Sequence, residues 1–128
     1  VHDIPFEANT FDVVICNHVL EHVTDDYKVM KEILRVLKPN GWAILQCPID
    51  YSLEETYEDA SITDPLEREK HFGQDDHVRM YGKDFGKRLE KGGFEVIEVH
   101  FAKELGTLAD RYCIQKEEII YFCRKPLN

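Results

Sequence analysis

The chain has 128 residues, 43% hydrophobic and 32% charged, the composition of a single soluble globular domain with a modest core. Its net charge of −9 is concentrated: residues 50–77 carry ten acids against two bases, a balance of −8. A field of that sign repels phosphate backbones and argues against nucleic acid as a partner, and no apolar run approaches the length of a membrane span.

The first residues, Val1-His2-Asp3-Ile4-Pro5, do not form a signal peptide, and a cytoplasmic location is expected. The absence of an initiator Met fits a partial chain, although processing also explains it. Cys16, Cys47, Cys113 and Cys123 include no CxxC pair, and three of them lie in apolar strand-like runs. Reduced, buried thiols are the expected state, in preference to disulfides or zinc ligands.

Asn9-Thr10 marks a turn, and residues 11–16, FDVVIC, form a short apolar run rich in β-branched residues. Such a run suits a strand covered on both faces. Thr24 is expected to cap a helix whose start is complemented by Asp25 and Asp26. Tyr27, Met30, Ile33, Leu34 and Leu37 then recur at helical spacing. The helix should stop at Lys38, before Pro39 and the Asn40-Gly41 turn. Residues 42–47, WAILQC, read as a second buried strand, which completes a right-handed βαβ unit.

Residues 48–80 break this rhythm. Pro48, Pro65 and the charge density point to short helices and loops outside the core. Residues 83–91 read as a helix with Phe85 and Leu89 inward, stopped by Gly92-Gly93. Residues 94–101 form a third strand, 102–117 an irregular connection, and 118–124 (EIIYFCR) a fourth strand. Composition and periodicity by themselves reach only this α/β domain.

Residues 3–47 read DIPFEANTFDVVICNHVLEHVTDDYKVMKEILRVLKPNGWAILQC. This stretch resembles the second half of the nucleotide-binding core of class I S-adenosylmethionine-dependent methyltransferases, in their small-molecule ("type 11") branch. The likeness continues more weakly through GGFEVIEV at 92–99 and is only topological beyond. It implies a partial Rossmann-like methyltransferase fold: a four-stranded mixed sheet with flanking helices, three strands parallel and the last antiparallel. That last strand would be inserted between the two before it, leaving 94–101 at one edge and 11–16 at the other. The family's Gly-rich loop and ribose-binding acid lie upstream of the position of Val1. The expectation is therefore one domain, 1–128, equivalent to the C-terminal portion of a methyltransferase, with residues 48–80 as an acidic lid-like insertion. The 11–16 strand would be a bare hydrophobic edge. Either the same strand of a second chain in a two-fold dimer or the missing N-terminal half is expected to cover it.

In open α/β sheets ligands bind beyond the carboxyl ends of the strands, where strand order reverses. By resemblance, Val1 would offer its amide to the adenine of S-adenosylmethionine. Asn17 and His18 would meet the methionine part, and Val19 would pack near the ribose or adenine. The plain alternative for these four is a strand-to-helix turn with no ligand. Pro5 and Phe6 are assigned to structure, as a stiffened connection plugged into the core.

Methyl transfer is an in-line displacement at a sulfonium methyl, so positioning dominates, and a general base helps only when the acceptor must lose a proton. His22 and His77 are the candidate bases, with Glu21, Arg79 and Tyr81 as substrate-binding candidates. His77, Arg79 and Tyr81 alternate in DHVRMY and would share one face of an extended segment. An Arg between His and Tyr can grip a carboxylate or phosphate; a segment held by local hydrogen bonds is the plain alternative. The acidity of 48–80 would favour cationic or amine acceptors, against the alternative of a solvated face.

His18-Val19-Leu20-Glu21-His22 also matches HxxEH, an inverted zinc-hydrolase signature, with Glu98 as a conceivable third ligand. Three fixed positions are a weak match, and the βαβ surroundings do not fit a hydrolase's long active-site helix, so no metal is expected. His2, His71 and His100 show no ligand spacing. The reading is a methyltransferase acting on a small-molecule or lipid-like acceptor, with this chain inactive alone. A non-catalytic dimerising or binding remnant of the same fold is the alternative. No residue pattern distinguishes O, N and C acceptors.

Overall fold

The computed structural model describes residues 1–127. A four-stranded sheet is built from β1 (Phe11–Asn17), β2 (Leu37–Gln46), β5 (Glu95–Val99) and β6 (Ile120–Arg124), in the order β1-β2-β6-β5. The last strand is inserted as expected, and 11–17 and 95–99 are the edges. One hydrogen-bonded pair, β1 with β2, is parallel; β6 is antiparallel to both β2 and β5. Three strands therefore share one direction and the last opposes them, as expected, although only β1 and β2 pair in parallel. β5 runs in the same direction as β1 and β2, but β6 separates it from them, so there is no three-stranded parallel block.

Helix α1 (Asp26–Val36) returns the chain from β1 to β2. Asp25, not Thr24, supplies the cap: its carboxylate accepts from the Lys28 amide at 2.9 Å. Val29, Met30, Ile33 and Val36 form the buried stripe. Val29, Met30 and Ile33 pack with Phe85 and Leu89 of α3 (Phe85–Gly92) against Ala43, Leu45, Tyr121 and Cys123 of the sheet. Each fully buried aliphatic side chain of this kind contributes roughly 1.5–3 kcal/mol. α3 ends on Gly93 at φ 110°, a left-handed position that glycine adopts without a Cβ penalty.

The helix stops at Val36 and β2 starts at once with Leu37, earlier than expected. Pro39, Asn40 and Gly41 form an irregularity inside β2, where the register jumps from Phe11–Leu37 to Val13–Trp42. Asn40 takes φ 66° there. Gly41 has no room for a side chain, since an added Cβ would sit 2.8 Å from the Lys38 carbonyl oxygen.

Burial of β1 on both faces is also corrected. Val14 and Cys16 pack against the core under α1 and α3, whereas Ile15 is 67% exposed and Val13 is exposed beside it. Strand alternation sends neighbours to opposite faces, and a continuous apolar run does not reveal that one face is uncovered. The short helices α4 (Phe101–Glu104) and α5 (Thr107–Arg111) replace the start of the expected irregular connection. α4 and the loop after it border a trough beside Ile44 and Ile120 on that second face.

Residues 48–80 contain a small ribbon, β3 (Tyr57–Glu58) antiparallel to β4 (Arg79–Met80), and the helix α2 (Pro65–Phe72). Asp64 caps α2 by accepting from the Leu66 and Glu67 amides, with Pro65 at the first turn and Gly73 left-handed at the end. Phe72 is the buried anchor of this helix. No helix among the described residues is long and apolar enough to cross a membrane.

Candidate functional site

β1 ends at Asn17, and the chain leaves the sheet through His18 at φ 54°. That left-handed turn is rare for a residue with a side chain. It is held by the His18 amide donating to the Gln46 carbonyl at 2.8 Å. Leu20–His22 then forms one 3-10 turn, with Leu20 fully buried in the core. The turn therefore faces two ways: Leu20 anchors it, and His18 and His22 stay accessible.

Glu21 is 2% exposed, and neither carboxylate oxygen has a hydrogen-bond partner. An unpaired carboxylate in such a place is expensive and demands a compensating group. Three histidines surround it. His18 Nδ1 lies 3.4 Å and His22 Nε2 3.8 Å from Glu21 Oε1. His77, arriving from the loop before β4, stacks edge-on against His22 with ring centroids 4.7 Å apart. The Val78 amide donates to the Glu21 carbonyl at 2.9 Å and ties the two segments together.

His77 Nδ1 is 3.1 Å from the Phe72 carbonyl oxygen. A carbonyl only accepts, so Nδ1 carries the proton and Nε2 keeps its lone pair. His22 Nδ1 lies 3.2 Å from Asp76 Oδ2, which orients that ring in the same sense. One spot thus collects Glu21, His22 and His77, of which Glu21 and His77 are buried.

Arg79 and Tyr81 lie apart from this trio. The Arg79 guanidinium donates to the carbonyls of Leu20 (2.7 Å), Val23 and Thr24 (3.1 Å) and to the Glu58 carboxylate (2.9 Å). Its donors knit the turn after β1 to the β3–β4 ribbon. The Tyr81 hydroxyl donates to Asp26 at 2.8 Å, and Arg88 grips the same carboxylate through Nε (2.7 Å) and Nη2 (3.0 Å). Burial pushes the Asp26 carboxyl up, but Arg88, Arg79 and Tyr81 together outweigh it and hold it below the usual range. Burial, then the Asp26 charge, pushes the Tyr81 phenol well up, so it remains a hydrogen-bond donor.

A cleft crosses the carboxyl ends of β1 and β2, lined by His18, Gln46, Cys47, Tyr51, Cys113 and Glu118 among others. Asn17 and Val1 are exposed, and Val19 is half-buried. Sequence reasoning missed the far wall of this cleft, because residues 113–119 carry no motif and arrive only through the fold. It also missed the role of Asp26, which reads as a helix-start acid but anchors a buried network. The thiols are free. Burial, assisted by the Glu21 charge, pushes Cys16 up to about 11, and burial alone pushes Cys123 up to about 12, so both stay protonated at neutral pH.

Comparison with known proteins agrees with this geometry. A family model described as a methyltransferase domain matches residues 1–45. The ubiquinone/menaquinone biosynthesis C-methyltransferase UbiE of Idiomarina loihiensis is 37% identical over 59 residues, 44% of this chain and 24% of that protein. The glycine/sarcosine/dimethylglycine N-methyltransferase of Actinopolyspora halophila is 30% identical over 120 residues, 85% of this chain and 20% of that protein. The chain therefore spans about a quarter or less of these relatives' length. The crystal structure of the cyclase SpnF superposes with a TM-score of 0.61 at 20% identity, covering 99% of this chain and 55% of that one, and shows the shared fold alone. With the strand order, the turn after β1 and the matched residues in agreement, the chain belongs to the class I S-adenosylmethionine-dependent methyltransferases and covers part of their domain.

Proposed function

We propose that the chain forms one wall of a methyltransferase cofactor cleft and contributes acceptor-side groups for methyl transfer to a small-molecule or lipid-like substrate. The observation that carries the reading is the coincidence of the family match over residues 1–45 with a cleft at the carboxyl ends of β1 and β2. When bound, S-adenosylmethionine supplies an electrophilic sulfonium methyl. Asn17 and His18 would face its methionine part, and Val19 and Val1 its nucleoside part. The exposed position of Asn17 and His18 at the strand end suits that role.

His22 and His77 are the proposed proton acceptors. The Phe72 carbonyl leaves the Nε2 lone pair of His77 available, as a base requires. Glu21 beside them would favour a cationic or amine acceptor, in keeping with the acidity of residues 48–80. Arg79 and Tyr81 are proposed to act by positioning: Arg79 holds the turn that carries Glu21 and His22, and Tyr81 braces the helix that follows. The 128-residue polypeptide alone is expected to hold the cofactor weakly and not to turn over.

Titrating isotopically labelled protein with S-adenosylhomocysteine tests the assignment. At millimolar ligand the amide signals of Asn17, His18 and Val19 should move, and those of β5 should not. Shifts centred away from the β1 terminus, or none at saturating ligand, would remove the cofactor-wall reading.

The open edge of β1 supports one further element of the proposal. Its free backbone groups and the exposed Val13 and Ile15 call for a covering strand, most simply β1 of a second copy, with the N-terminal half of a methyltransferase domain as the alternative cover.

A further inference from the structure

We infer that Glu21, His22 and His77 form a binding site for a divalent first-row transition-metal ion, with zinc the best match to the donor set. The inference goes beyond methyl transfer and does not depend on cofactor binding; His22 and His77 can act as bases only when no ion holds their lone pairs.

One donor atom from each residue lies within 4.8 Å of the other two, and among the described residues this is the group of three so arranged. The His22 Nε2 to Glu21 Oε1 separation is 3.8 Å. Tetrahedral zinc with bonds of about 2.0–2.1 Å spaces its ligands roughly 3.4 Å apart. Closing the His22–Glu21 pair needs a few tenths of an ångström, and the pairs with His77, within 4.8 Å, need at most about 1.4 Å of side-chain rotation.

The outer contacts are those a metal site needs. A ligating histidine commonly donates its other ring N–H to a carbonyl or carboxylate, which fixes the tautomer and aims the free lone pair. His77 does so to the Phe72 carbonyl at 3.1 Å. His22 turns Nδ1 to Asp76 at 3.2 Å. Both rings therefore keep Nε2 as the ligand atom.

Glu21 is the second, independent observation. Its carboxylate is buried, and neither oxygen has a hydrogen-bond partner, the nearest imidazole nitrogens lying 3.4 and 3.8 Å from Oε1. A cation between the three side chains would resolve that deficit. Two imidazoles and a carboxylate match the His₂Glu pattern of catalytic zinc, where a fourth position stays open. His22 is one-third exposed, so that position faces solvent, with His18 at the rim.

The ligand set differs from the HxxEH reading. Leu20–His22 is a single 3-10 turn, and His18 leaves the strand in a left-handed conformation, so the two histidines of the motif do not stand one above the other on a helix. Glu98 sits on the opposite edge strand, near Gly86 and His100. His77 takes the place assigned to it. The competing occupant is a proton, which would make His22 an imidazolium paired with Glu21 and Asp76.

The test strips the 128-residue chain with chelator, dialyses it against Zn²⁺ or Co²⁺ and counts bound ions by elemental analysis. One ion per chain is expected, with visible ligand-field absorption in the Co²⁺ form. Glu21→Gln and His77→Ala should each weaken binding at least about 100-fold, and Asp76→Ala about 10- to 100-fold. His100→Ala should bind like the parent. If the site variants do not fold, histidine ring signals of the parent protein decide: Zn²⁺ should shift His22 and His77 and leave His100 unmoved. Substoichiometric uptake, uptake that survives Glu21→Gln with His77→Ala, or a metal-free His22 protonated at both nitrogens that Zn²⁺ does not displace would overturn the site.

Discussion

The Tyr81 hydroxyl donates a 2.8 Å hydrogen bond to the Asp26 carboxylate, and both residues are buried. Arg88 binds the same carboxylate from α3, and Arg79 Nε comes within 4.0 Å of it. Four elements thus meet on one charge: α1, α3, the β3–β4 ribbon and the chain entering α3. Removing the phenol leaves a charged acceptor with one donor fewer. Tyr81→Phe should destabilise the fold by about 1.5–3 kcal/mol in urea unfolding. Asp26→Ala leaves two guanidinium groups short of a partner and should cost about 3–5 kcal/mol. A cost below that of an exposed pair, about 1 kcal/mol, would show that the network carries little stability.

The same carboxylate predicts acid sensitivity. Arg88, Arg79 and Tyr81 hold the folded Asp26 carboxyl below the usual carboxylate range, so the folded state binds the proton less readily than the unfolded state. Its contribution is present above the unfolded value and is lost as pH falls through the folded value. Asp26→Asn should therefore flatten the stability profile below about pH 4 relative to the parent. Parallel acid limbs for the two proteins would count against it.

Glu32 secures the beginning of the chain to α1. Its carboxylate accepts from the Ile4 amide at 2.9 Å and from Arg35 at 2.8 Å through both Nε and Nη2. Arg35 in turn donates to the carbonyls of Ile4 and Phe6. The Arg35 hydrogen bond, then the Ile4 amide, lowers Glu32 to about 2. The carboxyl signal of Glu32 should remain that of the ionised form down to this region, while unperturbed glutamates titrate near 4.3. Glu32→Gln should raise hydrogen exchange at the Ile4 amide. Unchanged exchange there would show that the clamp does not hold the segment.

Gly41 is predicted to be intolerant of any side chain. A Cβ there would lie 2.8 Å from the Lys38 carbonyl oxygen and 3.2 Å from that of Asp12. Gly41→Ala should cost about 1–3 kcal/mol, with the disturbance centred on the β1–β2 register jump. A neutral result would mean that the irregularity in β2 relaxes freely.

The β1 edge predicts association. Light scattering should give twice the chain mass for the 128-residue protein, and Ile15→Lys should return it to a monomer without loss of helical content. A monomeric parent at high concentration would leave the edge to a different covering segment.

Some of this molecule was readable before any coordinates. Apolar spacing at Met30 and Ile33 placed α1. Gly92-Gly93 closed α3, and the runs at 11–16 and 118–124 marked strands. These signals are local, because helix periodicity and left-handed caps depend on residues a few positions apart. The DIPFE…LKPNGWAIL stretch added the strand order through resemblance. The N-cap falls on Asp25, one residue past Thr24, since both are competent caps and only chain geometry chooses between them.

The sequence by itself therefore determined the elements and the kind of domain. Tertiary structure alone decided that β1 is covered on one face. It also decided that Arg79 binds backbone carbonyls and that His77 joins Glu21 and His22 across 54 intervening positions. Such meetings depend on how separate segments pack, and a buried charge chooses its partner only after that packing has excluded water.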